Sequence, residues 1–494
     1  MTVLAPEKKP PAISAAVAER MLAIVGERNC IVEAADLRTY ESDGLTSFHA
    51  TPGIVVLPSS TEQVVEVVKV AREAGLPIVP RGAGTGLSGG AMPVPGCVVI
   101  GLSRMHSILE IDLENGWMRV QPGVINLDVS KRLSPDGYYY APDPSSQSVC
   151  TIGGNLAENS GGAHCLKYGF TVNHVLGARM VLGDGEVVDL GGPVADSPGY
   201  DLLGVLAGSE GMLGIVTEVV LRILRKPQAT RTFLAIFPTT EAAGNAVSAI
   251  ISGGIIPAAI EMMDRLAIVA AKAATGIDWP DVGAVLLMDV DGPLAEVEHT
   301  SAQSIEMCRE AGALEIRRPK DEDERAMLWK GRKSAFAAVG RISPNYVVQD
   351  GVIPRSEIAR VLAEIEALSR ESGLRIANVF HAGDGNLHPL VLYDAKIPGQ
   401  ETLAEATAGE ILRICLRFGG SITGEHGVGA DKAPYMAEMF SEADLETMSR
   451  IRCAFDPDAR FNPGKVFPTP RLCGDRPGIY RPHATEVAGL ADRV

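Results

Sequence analysis

The stretches "FHAGDGNLHPL" (380–390) and "GSITGEHGVG" (420–429) concentrate the residue types from which metal centres are built. His381 and His388 are separated by six residues that include Gly383 and Gly385, so the chain can turn back and bring both imidazoles to one point. Glu425 completes a two-histidine, one-carboxylate set with coordination positions left open, which suits Zn2+, Mn2+ or Fe2+. His426 directly follows Glu425. In an extended segment its side chain points elsewhere, where it would act as base on a substrate held by the metal. Hydrogen-bonded structural histidines satisfy the same pattern, and the residues alone leave both readings open. Asp384 and Asn386 compete as polar ligands or turn formers, with Asp384 the better turn residue. Arg332, in "LWKGRKSAFAAVGR" (328–341), lies on a helix-like segment. Its guanidinium is the natural clamp for a substrate carboxylate, because it binds both oxygens at once. Lys330, Lys333 and Arg341 nearby make a solvated basic face an equally ordinary explanation.

A second kind of chemistry is written in "VPRGAGTGLSGGAMPVPG" (79–96), where Gly84, Gly86 and Gly89 match the dinucleotide fingerprint. A Rossmann site needs a helix directly afterwards, since the helix N-terminus holds the pyrophosphate. Met92, Pro93, Val94, Pro95 and Gly96 follow instead, and then a strand, "CVVIGL" (97–102). The loop is therefore expected to cradle phosphate with its own amides, aided by the Thr85 and Ser88 hydroxyls. Two further segments of small and polar residues, 138–169 and 208–224, could line the same extended ligand.

The elements that position these groups are legible in outline. "GIVVLP" (53–58) and "LPIVP" (76–80) read as strands around a helix with Val64, Val67, Val68 and Ala71 on one face. Ser60 and Gln63 form a capping box at its start. A long alternating strand starts at Ile215. Beyond "RKPQAT" (225–230) the texture changes to a new α+β domain, with strand-like "FLAIF" (233–237) and a helix from about Thr240.

Composition narrows the function. The chain has 494 residues, 46% hydrophobic and 21% charged, with 45 basic against 61 acidic residues and a net charge of −16. That balance argues against binding nucleic acid or an anionic membrane by bulk electrostatics. No apolar run approaches the roughly 20 residues that span a bilayer, and the N-terminal segment does not read as a secretory signal. Eight scattered cysteines without any Cys-x-x-Cys exclude a zinc ribbon or iron–sulfur cluster. Reduced thiols and a cytoplasmic location are expected.

"VPRGAGTGLSGG", "APDPSSQ", "IGGNLAENSGG", "GSEGMLGIVTEV", "WKGRKSAFAAVGRISPNY", "ANVFHAGDGNLHPL", "GEHGVG" and "AFDPDARFNPGK" together resemble the D-subunit family of glycolate oxidase. That family belongs to the vanillyl-alcohol-oxidase-like flavoproteins, beside D-lactate and D-2-hydroxyglutarate dehydrogenases. The resemblance runs from about Glu41 to Pro468. It implies an α+β fold with a two-subdomain FAD-binding domain and an antiparallel-sheet cap domain. The implied organisation is a helical lead-in over 1–50, the FAD-binding domain over 51–228 and the cap over 229–468, with a C-terminal segment returning to the flavin. A tail follows over 469–494.

By motif, the resemblance assigns Arg81, Gly82, Ala83, Gly84, Thr85, Gly86, Leu87, Ser88 and Gly89 to the FAD pyrophosphate. Asp143, Ser146, Gly153, Gly154, Asn159, Gly161 and Gly162 line the cofactor, with Glu210, Gly211, Gly214 and Ile215 as a third wall and Asn462 returning from the C-terminus. FAD is expected to be non-covalent. His381, His388 and Glu425 are implied to bind a divalent metal, Arg332 the substrate carboxylate, His426 to be the base, and Asn386 to be a polar active-site residue. The hydroxyglutarate enzymes carry a lysine where Val348 stands here, which favours a small monocarboxylate. The implied reaction is oxidation of glycolate, or of D-lactate, with electrons passed to subunits E and F, the latter an iron–sulfur protein. A stand-alone D-2-hydroxyacid dehydrogenase is the nearest alternative. A metal-dependent hydrolase of a nucleotide-like substrate is remote, since no nucleophile constellation supports it.

Overall fold

The computed structural model describes residues 13–194, 198–277, 279 and 281–468. The tail expected over 469–494 and the prolines of the lead-in, Pro6, Pro10 and Pro11, lie outside the described residues.

The first sheet has four strands. Ile54–Val56 and Ile78–Arg81 run parallel to the central strand Val98–Gly101, and Cys30–Ile31 pairs antiparallel at the edge. The connection between the two outer parallel strands is the helix Thr61–Glu73. Val64, Val67, Val68 and Ala71 are fully buried against the sheet, as the apolar spacing requires. Ser60 Oγ caps the helix by accepting from the Gln63 amide at 3.3 Å, but the Gln63 side chain accepts from Ser59, not from Ser60. The chain then leaves Arg81 into the glycine loop and reaches Val98 without forming a helix. The C-terminal segment returns here: the Ile78 amide donates to Arg460 and the Asn462 amide donates to Ile78.

A second, antiparallel sheet takes the order Ile108–Asp112, Trp117–Val120, Ile215–Arg222, Val175–Val181, Val187–Gly191. Its central strand starts directly after the third glycine-rich segment.

Tyr138–Tyr139 and Leu224–Arg225 pair as a two-stranded ribbon, and the remaining described strands form an antiparallel sheet of nine. Its backbone is Ala229–Phe237, Ala284–Gly292, Ala259–Asp264 and Ile376–His381. Both faces are covered. Phe233, Ala235 and Phe237 enter one core and Leu234 and Ile236 the other. This explains why "FLAIF" is uniformly apolar and not alternating, with each large side chain contributing about 1.5–3 kcal/mol by burial. The helix Glu322–Ala338, capped by Asp321 and acidic through its first turn, lays Trp329, Arg332 and Ala335 inward.

Six cysteines, Cys30, Cys97, Cys150, Cys165, Cys308 and Cys415, are free and buried. Cys453 corrects the expectation of reduced thiols throughout, because it is disulfide-bonded. Spacing along the chain carries no information on such a bond, which depends on the approach of two Cα atoms in the folded protein.

Candidate functional site

His381 ends its strand and faces two acids from different directions. Glu261 lies opposite it on the neighbouring strand, and Glu261 Oε1 is 2.7 Å from Nδ1. Nε2 is 3.3 Å from Glu425 Oε1, and with the Nδ1 proton held by Glu261 it is the ring nitrogen left for a metal. The chain turns at Gly385, whose φ of +81° suits glycine, and Asn386 comes back directly across from His381. His388 follows, its Nε2 3.3 Å from Glu425 Oε1 and 3.4 Å from Asp350 Oδ1. The donor atoms of His381, His388 and Glu425 lie within 4.8 Å of one another, and all three residues are buried. Glu425 Oε2 and His388 Nε2 have no hydrogen-bond partner, which leaves lone pairs converging on one point. The donor set therefore fits a divalent cation.

His426 does not point away from this cluster, as an extended segment would have it. Its ring stacks on His388 with centroids 4.8 Å apart, and Nε2 is 3.9 Å from Glu425 Oε1. The cause is the turn from Thr423 to Gly427, which Asp350 organises. The Asp350 carboxylate accepts from the amides of Gly424 (2.9 Å), Glu425 (3.2 Å) and His426 (2.9 Å) and from Thr423 Oγ1 (2.7 Å). Lys432 Nζ, itself buried, pairs with it at 3.0 Å. Burial alone would raise the Asp350 pKa, but Lys432 and the histidines hold it well below the usual carboxylate range. Burial lowers His426 to about 4, so its imidazole is neutral.

Arg332 is 5% exposed, and its NH2 is 2.5 Å from Glu261 Oε2. Glu261 thus orients both His381 and Arg332, while Arg332 Nε has no partner. Asn386 is 1% exposed with both side-chain amide atoms unpartnered, an orphaned polar group at the heart of the cluster. Asp384 is a turn residue, Oδ1 accepting from the Asn386 amide at 3.1 Å.

One cavity of about 430 Å³ joins part of this cluster to the glycine loops, while Arg332, His381 and Asn386 stand behind its lining. Arg81, Gly82, Ala83, Gly84, Thr85, Gly86 and Leu87 line one part, with Ser146, Gly153, Gly154, Glu210, Gly211 and Gly214 beside them. His388, Glu425 and His426 line another, with Lys333 and Phe336 of the arginine helix. At Gly84 the backbone has φ +71°, a left-handed conformation that favours glycine, and a Cβ there would have to push the Arg81 guanidinium aside.

Eight residues assigned to the cofactor stand outside the lining. Ser88 is fully buried, and its carbonyl accepts from the amides of Ala430 and Asp431, while Gly89 packs on Ala430. The Ser88 hydroxyl is thus no donor to the cavity. Asp143 pairs with His164 Nδ1 at 3.0 Å, and Gly162 packs against the Asp143 carbonyl. Asn159 takes φ +52° at a helix end and accepts from the Val172 amide. Ile215 is core. Asn462 donates to the carbonyls of Gly90 and Glu210 at 2.8 and 2.7 Å, tying two walls together. Gly161 makes room for the acid cluster: a Cβ there would sit 2.7 Å from Glu425 Oε2. Gly161→Ala is therefore expected to displace the Glu425 carboxylate or the Phe170 ring while FAD content stays unchanged, as read by a crystal structure and flavin analysis of the purified variant. A variant in which neither group moves would show that the backbone at residue 161 gives way instead.

Glu261, Asp350 and Lys432 escaped the sequence reading as functional groups. Glu261 had a signal, an acid inside the apolar run "IIPAAIEMMD"; the role of Asp350 had none, because its partners lie 73 to 82 positions further on.

Residues 52–191 match a family model described as an FAD binding domain, and residues 226–466 one described as FAD linked oxidases, C-terminal domain. The chain is 47% identical to glycolate oxidase subunit GlcD of Escherichia coli K12 over 445 residues, 90% of this chain and 89% of that protein. It is 33% identical to D-lactate dehydrogenase of Anaerostipes hadrus, covering 84% and 90% of the two chains. Among solved structures, p-cresol methylhydroxylase with bound substrate superposes with a TM-score of 0.78 at 19% identity, covering 92% and 98%. The fold is accordingly the expected α+β arrangement of the vanillyl-alcohol-oxidase type. The glycine-rich segments 79–96 and 138–169 lie inside the matched FAD binding domain, and the chain belongs to the family of FAD-linked oxidases that includes glycolate oxidase subunit GlcD.

Proposed function

We propose that the protein oxidises a small 2-hydroxy acid, glycolate first and D-lactate second, at the junction of the FAD cradle and the histidine cluster. The observation that carries this is the single cavity bounded by both. FAD supplies a two-electron acceptor, and a divalent ion held by His381, His388 and Glu425 supplies a Lewis acid for the substrate oxygens.

The chain's own residues do the rest. Arg332, held from one side by Glu261, offers its free Nε edge to the substrate carboxylate. The reaction removes a hydride from Cα and a proton from the hydroxyl. His426, neutral and stacked on His388, takes the proton. Asn386 offers both a donor and an acceptor from a dry position. Val348 packs against the apolar core and brings no second cation, which supports a monocarboxylate substrate. The turn held by Asp350 keeps base and carboxylate ligand in register.

The reduced flavin needs an outlet. No described helix is long and apolar enough to cross a membrane, and the eight cysteines include no cluster motif. The similarity to glycolate oxidase subunit GlcD supports partner subunits E and F, the latter an iron–sulfur protein, as that outlet, with this chain on the cytoplasmic side.

The test is anaerobic. Glycolate, then D-lactate, is added to the purified holoprotein with and without a chelator, and flavin absorbance is followed. Bleaching that the chelator abolishes and Zn2+ or Mn2+ restores is the expected result. Bleaching indifferent to the chelator removes the metal from the mechanism, and a flavin that neither acid bleaches removes the substrate assignment.

A further inference from the structure

Glu158 is used by nothing described so far. It is the last residue of the helix Ile152–Glu158, after which Asn159 turns the chain at φ +52°. Its side chain lines the FAD cavity, and its Oε2 is inaccessible to solvent and without a hydrogen-bond partner. The carboxyl lies between two backbone stretches from opposite walls. A Cβ on Gly90 would sit 2.6 Å from Oε1, and one on Gly427 would collide with Oε2. That same point beside Gly427 is 2.9 Å from Glu210 Oε1, so two buried carboxyls are neighbours.

The two are not equivalent. Glu210 accepts from the Val428 amide through Oε1 at 2.6 Å and from the Gly429 amide through Oε2 at 2.7 Å, which stabilises its anion. Glu158 accepts no such bonds and sits at the negative end of its helix. Two adjacent anions in a dry cavity repel, and one proton relieves this. Burial raises Glu210 as well, to about 7, but its two amide donors make it the more acidic of the pair, so the shared proton belongs on Glu158. Burial, then Glu210 and Asp43, raise Glu158 well above the usual carboxylate range, and Lys432 opposes them only in part.

A carboxylic acid kept neutral in a cofactor cavity is a hydrogen-bond donor looking for an acceptor. We propose that the Glu158 carboxyl donates a hydrogen bond to a ring acceptor of the bound flavin and thereby raises its reduction potential. The reduced ring carries more negative charge on its acceptor atoms, so a donor stabilises it more than the oxidised ring. This rests on FAD occupying the cavity, and not on the metal or substrate assignment.

The experiment uses the holoprotein without substrate. Midpoint potentials are measured with mediators for wild type, Glu158→Gln and Glu158→Ala, alongside Raman spectra of the flavin carbonyl stretches. Loss of one such bond corresponds to a roughly tenfold fall in the reduced-to-oxidised ratio, about 30 mV for a two-electron couple. Glu158→Ala is expected to shift the potential down by that amount and raise a carbonyl stretch. Glu158→Gln keeps a donor of the same shape and stays close to wild type. An alanine variant with wild-type potential and spectrum overturns the proposal. So does a glutamine variant that behaves like alanine, which would mean that the carboxyl proton serves Glu210 and not the ring. If the alanine variant loses FAD, the glutamine variant decides by its Raman spectrum, since a carbonyl stretch moved to its free-flavin position excludes a donor at Glu158.

Discussion

Replacing His426 by alanine leaves FAD bound and slows flavin reduction by glycolate or D-lactate by about two to four orders of magnitude, the usual range for loss of a general base. The expectation rests on three features of the site. The imidazole is neutral because burial lowers it to about 4. It stacks on His388 and so is held without being consumed by a short hydrogen bond. It shares a cavity with the glycine loops, so a substrate beside it also lies beside the flavin. Stopped-flow absorbance under anaerobic conditions reads the rate directly. FAD content and metal content should match wild type, since His426 is outside the proposed ligand set. Reduction within threefold of wild type would remove His426 from the role of base.

Asp350→Ala carries the largest stability effect. Asp350 is fully buried and satisfies the Gly424, Glu425 and His426 amides, the Thr423 hydroxyl and the Lys432 ammonium together. Removing it leaves a buried cation unpaired and several amides without acceptors, which costs about 3–5 kcal/mol. Chemical unfolding should show that loss, and turnover should vanish with it because Glu425 and His426 depend on the same turn. The double variant Asp350→Asn with Lys432→Met removes both charges and keeps an acceptor for the amides. It is expected to regain most of the stability. A single variant that loses less than about 1 kcal/mol would show that the turn is held by other contacts. A double variant as unstable as the single one would place the cost in hydrogen bonds and not in the orphaned charge.

Much of this site was written in local sequence. Helix Thr61–Glu73 was legible from the spacing of its valines. The absence of a helix after Gly89 was legible from Pro93 and Pro95. His381, Asn386 and His388 sit in one short hairpin, so the spacing of the glycines was enough to bring them together. Glu425 converges with them in the structure as the donor types required. Each of these is a property of a segment of ten residues or so, over which backbone preference dominates.

The residues that were missed, or that were placed in the wrong role, depend on contacts across the chain. Glu261 meets His381 because two strands 120 positions apart pair in register. His426 joins the cluster because Asp350, in the link between the strands Asn345–Val348 and Gly351–Val352, collects the amides of its turn. Asn159 and Asn462 look like ligand groups in a glycine-rich setting, yet their side-chain hydrogen bonds go to backbone groups of neighbouring walls, and Ser88 keeps a buried, unpartnered hydroxyl outside the cavity lining. Sequence by itself determined the kinds of donor, a phosphate cradle through its glycine-rich motifs, the cofactor class through their resemblance to a flavoprotein family, and the main helices and strands. Only the tertiary structure decided which polar groups face the cavity and which hold its walls. The same side chains can do either, and the choice is made by whichever long-range partner satisfies a buried hydrogen bond first.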